Sequence, residues 1–232
     1  MIKINLVEYF ENTVRKHADK IAVYDKERDI TFSGLEQKCK LLASEILSRK
    51  NVIKRPIAIY LNKSIESVYS DLAVIYSGNF YMNLDVKTPV TRIKNILELV
   101  CPEVIITNNQ FEKNIQDIVP KETVVINLDS VDFGEIVRDD NMLSARLGTL
   151  IDTDPLCIIN TSGSTGTPKG VVLNHRSFVD FTEWADDTFS FTDEEIIGSL
   201  SPLVFDIYSF ELCMLMAKGS TIVLIPDHLS AF

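Results

Sequence analysis

The sequence predicts an α/β protein in which mainly parallel sheets are flanked by helices. Three observations carry this. From Pro56 onward, short β-branched runs alternate with stretches of helical period. Capping residues, Gly or Pro mark most of the changes of period. Apolar residues make up 46% and charged residues 24%, with nine Gly and eight Pro, an ordinary composition for a folded chain of 232 residues. Repeated strand-helix-strand spacing needs crossover connections, and crossovers make neighbouring strands parallel.

Leu6, Phe10, Val14 and Ala18 recur at helical spacing, so residues 5–19 predict an opening amphipathic helix. Ile21 to Tyr24 and Ile30 to Phe32, separated by a charged turn, predict a hairpin. Ser33-Gly34-Leu35-Glu36 has the pattern of a capping box opening a helix that runs to about Lys50. Ile57 to Tyr60 predicts a strand, and Ile65, Val68, Tyr69, Leu72, Ile75 and Tyr76 the apolar face of a helix closed at Gly78. Phe80 to Leu84 is strand-like, and Thr88-Pro89 opens a helix with proline in its first turn. Val104 to Thr107, a polar helix near 110–119, and Thr123 to Leu128 continue the alternation. Asp129 to Asp140 holds five acids and one arginine with little periodicity and is expected to be a solvated connection. Strands follow at Leu156 to Ile159 and Gly170 to Leu173, then helices at 177–189 and 207–218, and a last strand at Thr221 to Ile225. No internal repeat beyond this alternation is evident.

Lys and Arg total 23 against 33 Asp and Glu, a net charge of −10, which argues against nucleic acid as a partner. No apolar run approaches the roughly 18 residues of a membrane span, so no membrane partner is expected. Met1 to Glu8 carries charge where a secretory signal needs an apolar stretch, so a cytoplasmic location is expected. Cys39, Cys101, Cys157 and Cys213 stand far apart without metal-ligand spacing, and buried thiols are expected at all four.

Thr161-Ser162-Gly163-Ser164-Thr165-Gly166-Thr167-Pro168-Lys169-Gly170 packs three glycines, five hydroxyls and one lysine into ten residues between two strands. Glycines let backbone amides wrap an anion, hydroxyls add rotatable donors, and lysine adds positive charge. Those are the requirements of a polyphosphate cradle. In the common P-loop, Gly precedes the Lys and Ser or Thr follows it; here Pro168 precedes Lys169 and Gly170 follows, which disfavours a kinase or GTPase.

The loop resembles the signature of the adenylate-forming (AMP-binding) superfamily, which holds acyl-CoA synthetases, luciferases and the adenylation domains of nonribosomal peptide synthetases. Ile30 to Glu36 resembles the family's early motif, and Ser77 to Asp85 with Pro89, Arg92 and Ile93 resembles the second. The family usually has proline where Asn83 and, shortly after the aspartate, Val86 stand, and tyrosine where Asn160 stands. Phe205-Asp206-Ile207-Tyr208 followed by Phe210-Glu211 resembles the Phe-Asp motif of amino-acid adenylating members. Residues 181–184 and the acidic stretch after them look somewhat like D-alanine:carrier-protein ligases.

The resemblance implies an N-terminal part of the large domain of the adenylate-forming fold. About 1–52 would open into a first sheet, 53–190 would form the alternating subdomain with the phosphate loop, and 191–232 would start a second sheet subdomain. The C-terminal domain and its catalytic lysine are absent, so no catalytic residue is expected within these residues. Also missing are the motifs whose glutamate holds magnesium (Mg2+) and whose aspartate grips ribose. The implied reaction is ATP-dependent activation of an amino-acid carboxylate as an acyl-adenylate, with transfer to the phosphopantetheine thiol of a carrier protein. Thr161, Ser162, Gly163, Ser164, Thr165, Gly166, Thr167, Lys169 and Gly170 would hold the phosphates. Asp206 would pair with the substrate ammonium, with Phe205 beside substrate and nucleotide and Ile207 and Phe210 lining the side-chain pocket.

Asp206 could instead be an N-cap, and Phe205, Ile207 and Phe210 could be plain core residues. His175 is expected to be structural. An aryl-acid or acyl-CoA ligase, and a non-catalytic nucleotide-binding or interaction module, remain as alternatives.

Overall fold

The computed structural model describes residues 5–26, 28–162, 168–226 and 229. The elements are α1 (Leu6–His17), β1 (Ile21–Asp25), β2 (Arg28–Thr31), α2 (Phe32–Arg49), β3 (Pro56–Ile59), α3 (Ile65–Tyr76), β4 (Phe80–Asn83), α4 (Val90–Val100), β5 (Val104–Thr107) and α5 (Glu112–Ile115). After them come β6 (Val124–Asn127), α6 (Asp140–Leu147), β7 (Pro155–Ser162), β8 (Pro168–Asn174), α7 (His175–Phe189), β9 (Ile196–Ser199), α8 (Asp206–Lys218) and β10 (Thr221–Leu224). Two sheets result, ordered β2-β1-β10-β9 and β6-β5-β3-β4-β7-β8. Every pairing is parallel except the β1/β2 and β7/β8 hairpins.

Strand β3 shows why the large sheet is covered on both faces. Ile57 and Ile59 point into one core with α2 and α3, while Ala58 and Tyr60 point into a second with Ile93, Ile96 and Leu97 of α4. Alternation along a strand sends successive side chains to opposite faces, so an all-apolar strand demands a helix on each side. The larger core also takes Leu6, Phe10 and Val14 of α1, Leu212 to Met216 of α8, and Val23 and Ile222 from the small sheet. Helix α3 is buried at every position but Glu66, as a helix enclosed on all sides must be.

Several local expectations shift. The cap of α2 is Thr31, whose hydroxyl accepts from the Gly34 amide at 3.2 Å. Ser33 is inside the helix with its hydroxyl against Thr31, and Glu36 pairs with Lys40 at 3.0 Å, so the Ser33/Glu36 capping box does not form. Pro89 is the cap of α4 rather than a first-turn residue. The polar helix near 110–119 contracts to α5. The stretch 129–140 is not wholly solvated: Phe133 lies edge-on to Tyr69 at 6.1 Å and beneath Lys38 Nζ at 4.1 Å. Cys39, Cys157 and Cys213 are buried, but Cys101 is exposed at the left-handed end of α4.

Candidate functional site

Strands β7 and β8 form a hairpin whose closing loop is the Gly/Ser/Thr-rich segment. Asn160 pairs with Gly170, Thr161 with Lys169, and Ser162 with Pro168. The Thr161 hydroxyl donates to the Lys169 carbonyl at 3.4 Å, tying the two strands at the loop's base. Thr161, Lys169 and Gly170 are exposed there. Gly163, Ser164, Thr165, Gly166 and Thr167 lie outside the described residues, as does the side chain of Ser162. Gly170 has a packing requirement of its own: a Cβ there would come within 2.9 Å of Ile158 Cγ2. Asn160 Oδ1, buried beside this position, has no hydrogen-bond partner among the described residues.

Farther along β8, Leu173 lies about 13 Å from Lys169 at the ordinary rise of a strand. Leu173 lines a cavity of about 500 Å3 between α7 and the first turns of α8. Phe178, Phe181, Trp184 and Phe189 of α7 wall one side; Asp206, Ile207 and Phe210 of α8 wall the other. Phe181 stacks on Trp184 at 5.6 Å and meets Phe210 edge-on at 5.5 Å. Asp206 is the one acidic group among the lining residues, a carboxylate facing an aromatic surface.

The structure therefore brings three of the four candidate substrate residues together: Asp206, Ile207 and Phe210 line one cavity, and Phe205 does not. Phe205 occupies the cap position of α8, and Asp206, the first helical residue, accepts from the Ile207 amide through Oδ1 at 3.0 Å, so its carboxylate meets a first-turn amide as well as lining the cavity. Phe205 and Ile207 are more than half exposed, which removes the core-packing alternative for both, whereas Phe210 packs partly against the core. The aromatic wall of α7 was not part of the expected site. Its signals were the three-residue spacing of Phe178, Phe181 and Trp184, which reads equally as core, and the resemblance of residues 181–184 to D-alanine:carrier-protein ligases, which named no pocket role.

His175, the first residue of α7, is fully buried. Its Nδ1 accepts from the Leu6 amide at 3.5 Å, and burial pulls its pKa down to about 4, so the ring is neutral at physiological pH. It ties α7 to α1. Among the described residues, no group of three or more His, Cys, Asp or Glu is placed to hold a metal. No helix among them is long and apolar enough to cross a membrane.

The scaffold is a mainly parallel α/β sheet with a Gly/Ser/Thr-rich segment closing a hairpin and an aromatic cavity with one carboxylate on its wall. Residues 10–232 match the AMP-binding enzyme family, and the chain belongs to it. Curated relatives include tyrocidine synthase 1 of Brevibacillus parabrevis, 25% identical over 226 residues, covering 95% of this chain and 20% of that protein. Zwittermicin A synthase ZmaJ of Bacillus cereus is 26% identical over 226 residues, covering 96% of this chain and 41% of that protein. The chain thus spans well under half of these relatives.

Among solved structures, the nonribosomal peptide synthetase FmoA3 with alpha-methyl-L-serine-AMP bound matches with a TM-score of 0.84 at 23% identity, over 96% of this chain and 24% of that one. VinN in complex with L-aspartate matches with a TM-score of 0.81 at 16% identity, over 96% of this chain and 63% of that one. These likenesses establish the adenylate-forming fold, with its parallel sheets flanked by helices.

Proposed function

We propose that this chain is part of an enzyme that activates an amino acid as its acyl-adenylate and passes the acyl group to a carrier-protein thiol. In the reaction, a carboxylate oxygen attacks the α-phosphorus of ATP and the bond to the leaving pyrophosphate breaks. A thiol then displaces AMP from the acyl carbon. The observation that carries the reading is Asp206, a carboxylate at the edge of an otherwise mostly apolar cavity that opens beside the β7–β8 hairpin. A carboxylate there offers a charge-assisted hydrogen bond to an α-ammonium, which an aryl or fatty acid lacks.

Residues 161–170 hold the phosphates in this reading, with Lys169 offsetting charge on the departing pyrophosphate. Magnesium would neutralise the same phosphates, and its ligand is expected beyond Phe232. VinN's complex with L-aspartate and the alpha-methyl-L-serine-AMP bound to FmoA3 support the substrate class without defining which amino acid is used here. Without the magnesium and ribose motifs and the late lysine, the chain by itself turns over negligibly.

The test is amino-acid-dependent ATP–pyrophosphate exchange, with the 232 residues alone and joined to whatever the reading frame encodes after them. Exchange is expected only in the longer product, and Asp206→Ala is expected to abolish it there for amino acids. Full exchange by the 232 residues alone refutes the incompleteness; exchange in the longer product that is indifferent to Asp206→Ala refutes the amino-group role and favours an aryl or acyl acid.

A further inference from the structure

The pocket uses one face of α8, and the opposite face of the same turn is held by a buried polar cluster. Tyr208 Oη donates to Asp71 Oδ2 at 2.6 Å, and Asn83 Nδ2 donates to Asp71 Oδ1 at 3.0 Å. Asp71 and Tyr208 are fully buried and Asn83 is 4% exposed. The three come from α3, α8 and the end of β4, so the cluster joins the large sheet to the helix that carries Asp206. Asn83 stands where the resembled motif usually has proline, a residue that could not make this donation. The ionisable neighbours that sense the Asp71 carboxyl are Cys39, Tyr81, Cys157 and Tyr208, none of them cationic.

Phe205 gives α8 no side-chain cap, and the first-turn contact that exists, from the Ile207 amide to Asp206 Oδ1 at 3.0 Å, is local to the helix and fixes nothing about its rotation against the sheet. At 3.6 residues per turn, residue 208 points about 160° away from residue 206, while 206 and 210 share a face. Holding the Tyr208 ring therefore sets the rotation at which Asp206 and Phe210 meet the cavity.

We propose that Asp71 is a positioning residue: with Asn83 holding its second oxygen, it anchors Tyr208 and thereby places Asp206, Ile207 and Phe210 on the pocket. The ligand in the test below rests on the amino-acid adenylation reading; the geometry does not.

The lever ends on a natural probe. Phe210 meets Phe181 edge-on, Phe181 stacks on Trp184, and Trp184 is the sole tryptophan of the sequence. Acrylamide quenching of Trp184 is compared in the 232-residue chain for wild type, Tyr208→Phe, Asp71→Ala and Asp71→Asn, with circular dichroism to confirm folding. Tyr208→Phe and Asp71→Ala are expected to raise the quenching constant. Asp71→Asn, which keeps an oxygen for the Tyr208 proton, is expected to stay near wild type. Amino acids that quench Trp184 in the wild type are expected to bind up to about tenfold more weakly to the first two variants, the loss of one buried hydrogen bond.

Equal quenching in all folded proteins overturns the proposal, and so does an Asp71→Asn variant as perturbed as Tyr208→Phe. Should Asp71→Ala fail to fold, Tyr208→Phe, which keeps the ring, decides. If no amino acid changes wild-type emission, the adenylation reading of this chain fails, and the quenching comparison still settles the positioning role.

Discussion

Asp71 provides a stability test whose size follows from its surroundings. Complete burial raises its pKa from 3.8 to about 7, against the opposing hydrogen bonds from Tyr208 and Asn83. Between those two pH values the folded chain keeps a proton that the unfolded chain has released, so stability falls as pH rises through the window and levels off above it. The gap corresponds to roughly 4 kcal/mol, of which about 2.5 kcal/mol falls between pH 5 and pH 8. Asp71→Asn retains a similar shape and an acceptor for Tyr208 but cannot titrate. The assay is urea unfolding of both proteins at pH 5 and pH 8, followed by circular dichroism. The wild type is expected to lose about 2.5 kcal/mol more than the variant on going to pH 8. Taking the difference cancels the chain's other carboxylates and histidines. Parallel pH dependence in the two proteins would refute the argument, because it would mean that burial does not hold a proton on Asp71.

His175 should act in the opposite direction: its folded pKa is about 4 against 6.5 unfolded. The unfolded chain therefore gains a proton first on acidification, and up to about 3 kcal/mol of stability should disappear as pH falls from 6.5 toward 4. A His175→Gln variant is expected to lack that component in acid unfolding curves. Gly170→Ala should cost about 1–3 kcal/mol in urea unfolding by pressing on Ile158 Cγ2, and Ile158→Ala, which removes that methyl, should make the added cost of Gly170→Ala smaller in the double variant; additive effects would show that the two do not touch.

Much of the architecture was readable because period-2 and period-3.6 apolar patterns report burial directly. Strands β3 to β6, helices α2, α3 and α8, and the two strands that flank the phosphate loop stand within a few residues of expectation, although the antiparallel pairing of those two strands was not foreseen. Helix α6 was not expected, because it buries only Leu143 and so has no apolar stripe. Its one readable signal was Asp139, whose side chain accepts from the Met142 amide at 2.9 Å. The Thr31 cap was masked by Ser33, since both hydroxyls precede the same helix and only the backbone path selects one.

The amino-acid sequence alone determined the α/β alternation, the phosphate-loop composition and the family, because these depend on local order along the chain. The resemblance of residues 205–211 to the Phe-Asp motif singled out Phe205, Asp206, Ile207 and Phe210, of which the last three line one cavity. What only the tertiary structure decided is how far apart in sequence the cooperating groups lie. The apolar face of α3 left Asp71 on the side that an ordinary amphipathic helix turns to water. Packing on all sides of α3 buried that side too, and Tyr208 arrives there from 137 residues away. The α7 wall, the exclusion of Phe205 from the cavity and the neutral His175 against α1 have the same origin. Each depends on contacts between distant segments, and no local periodicity encodes those.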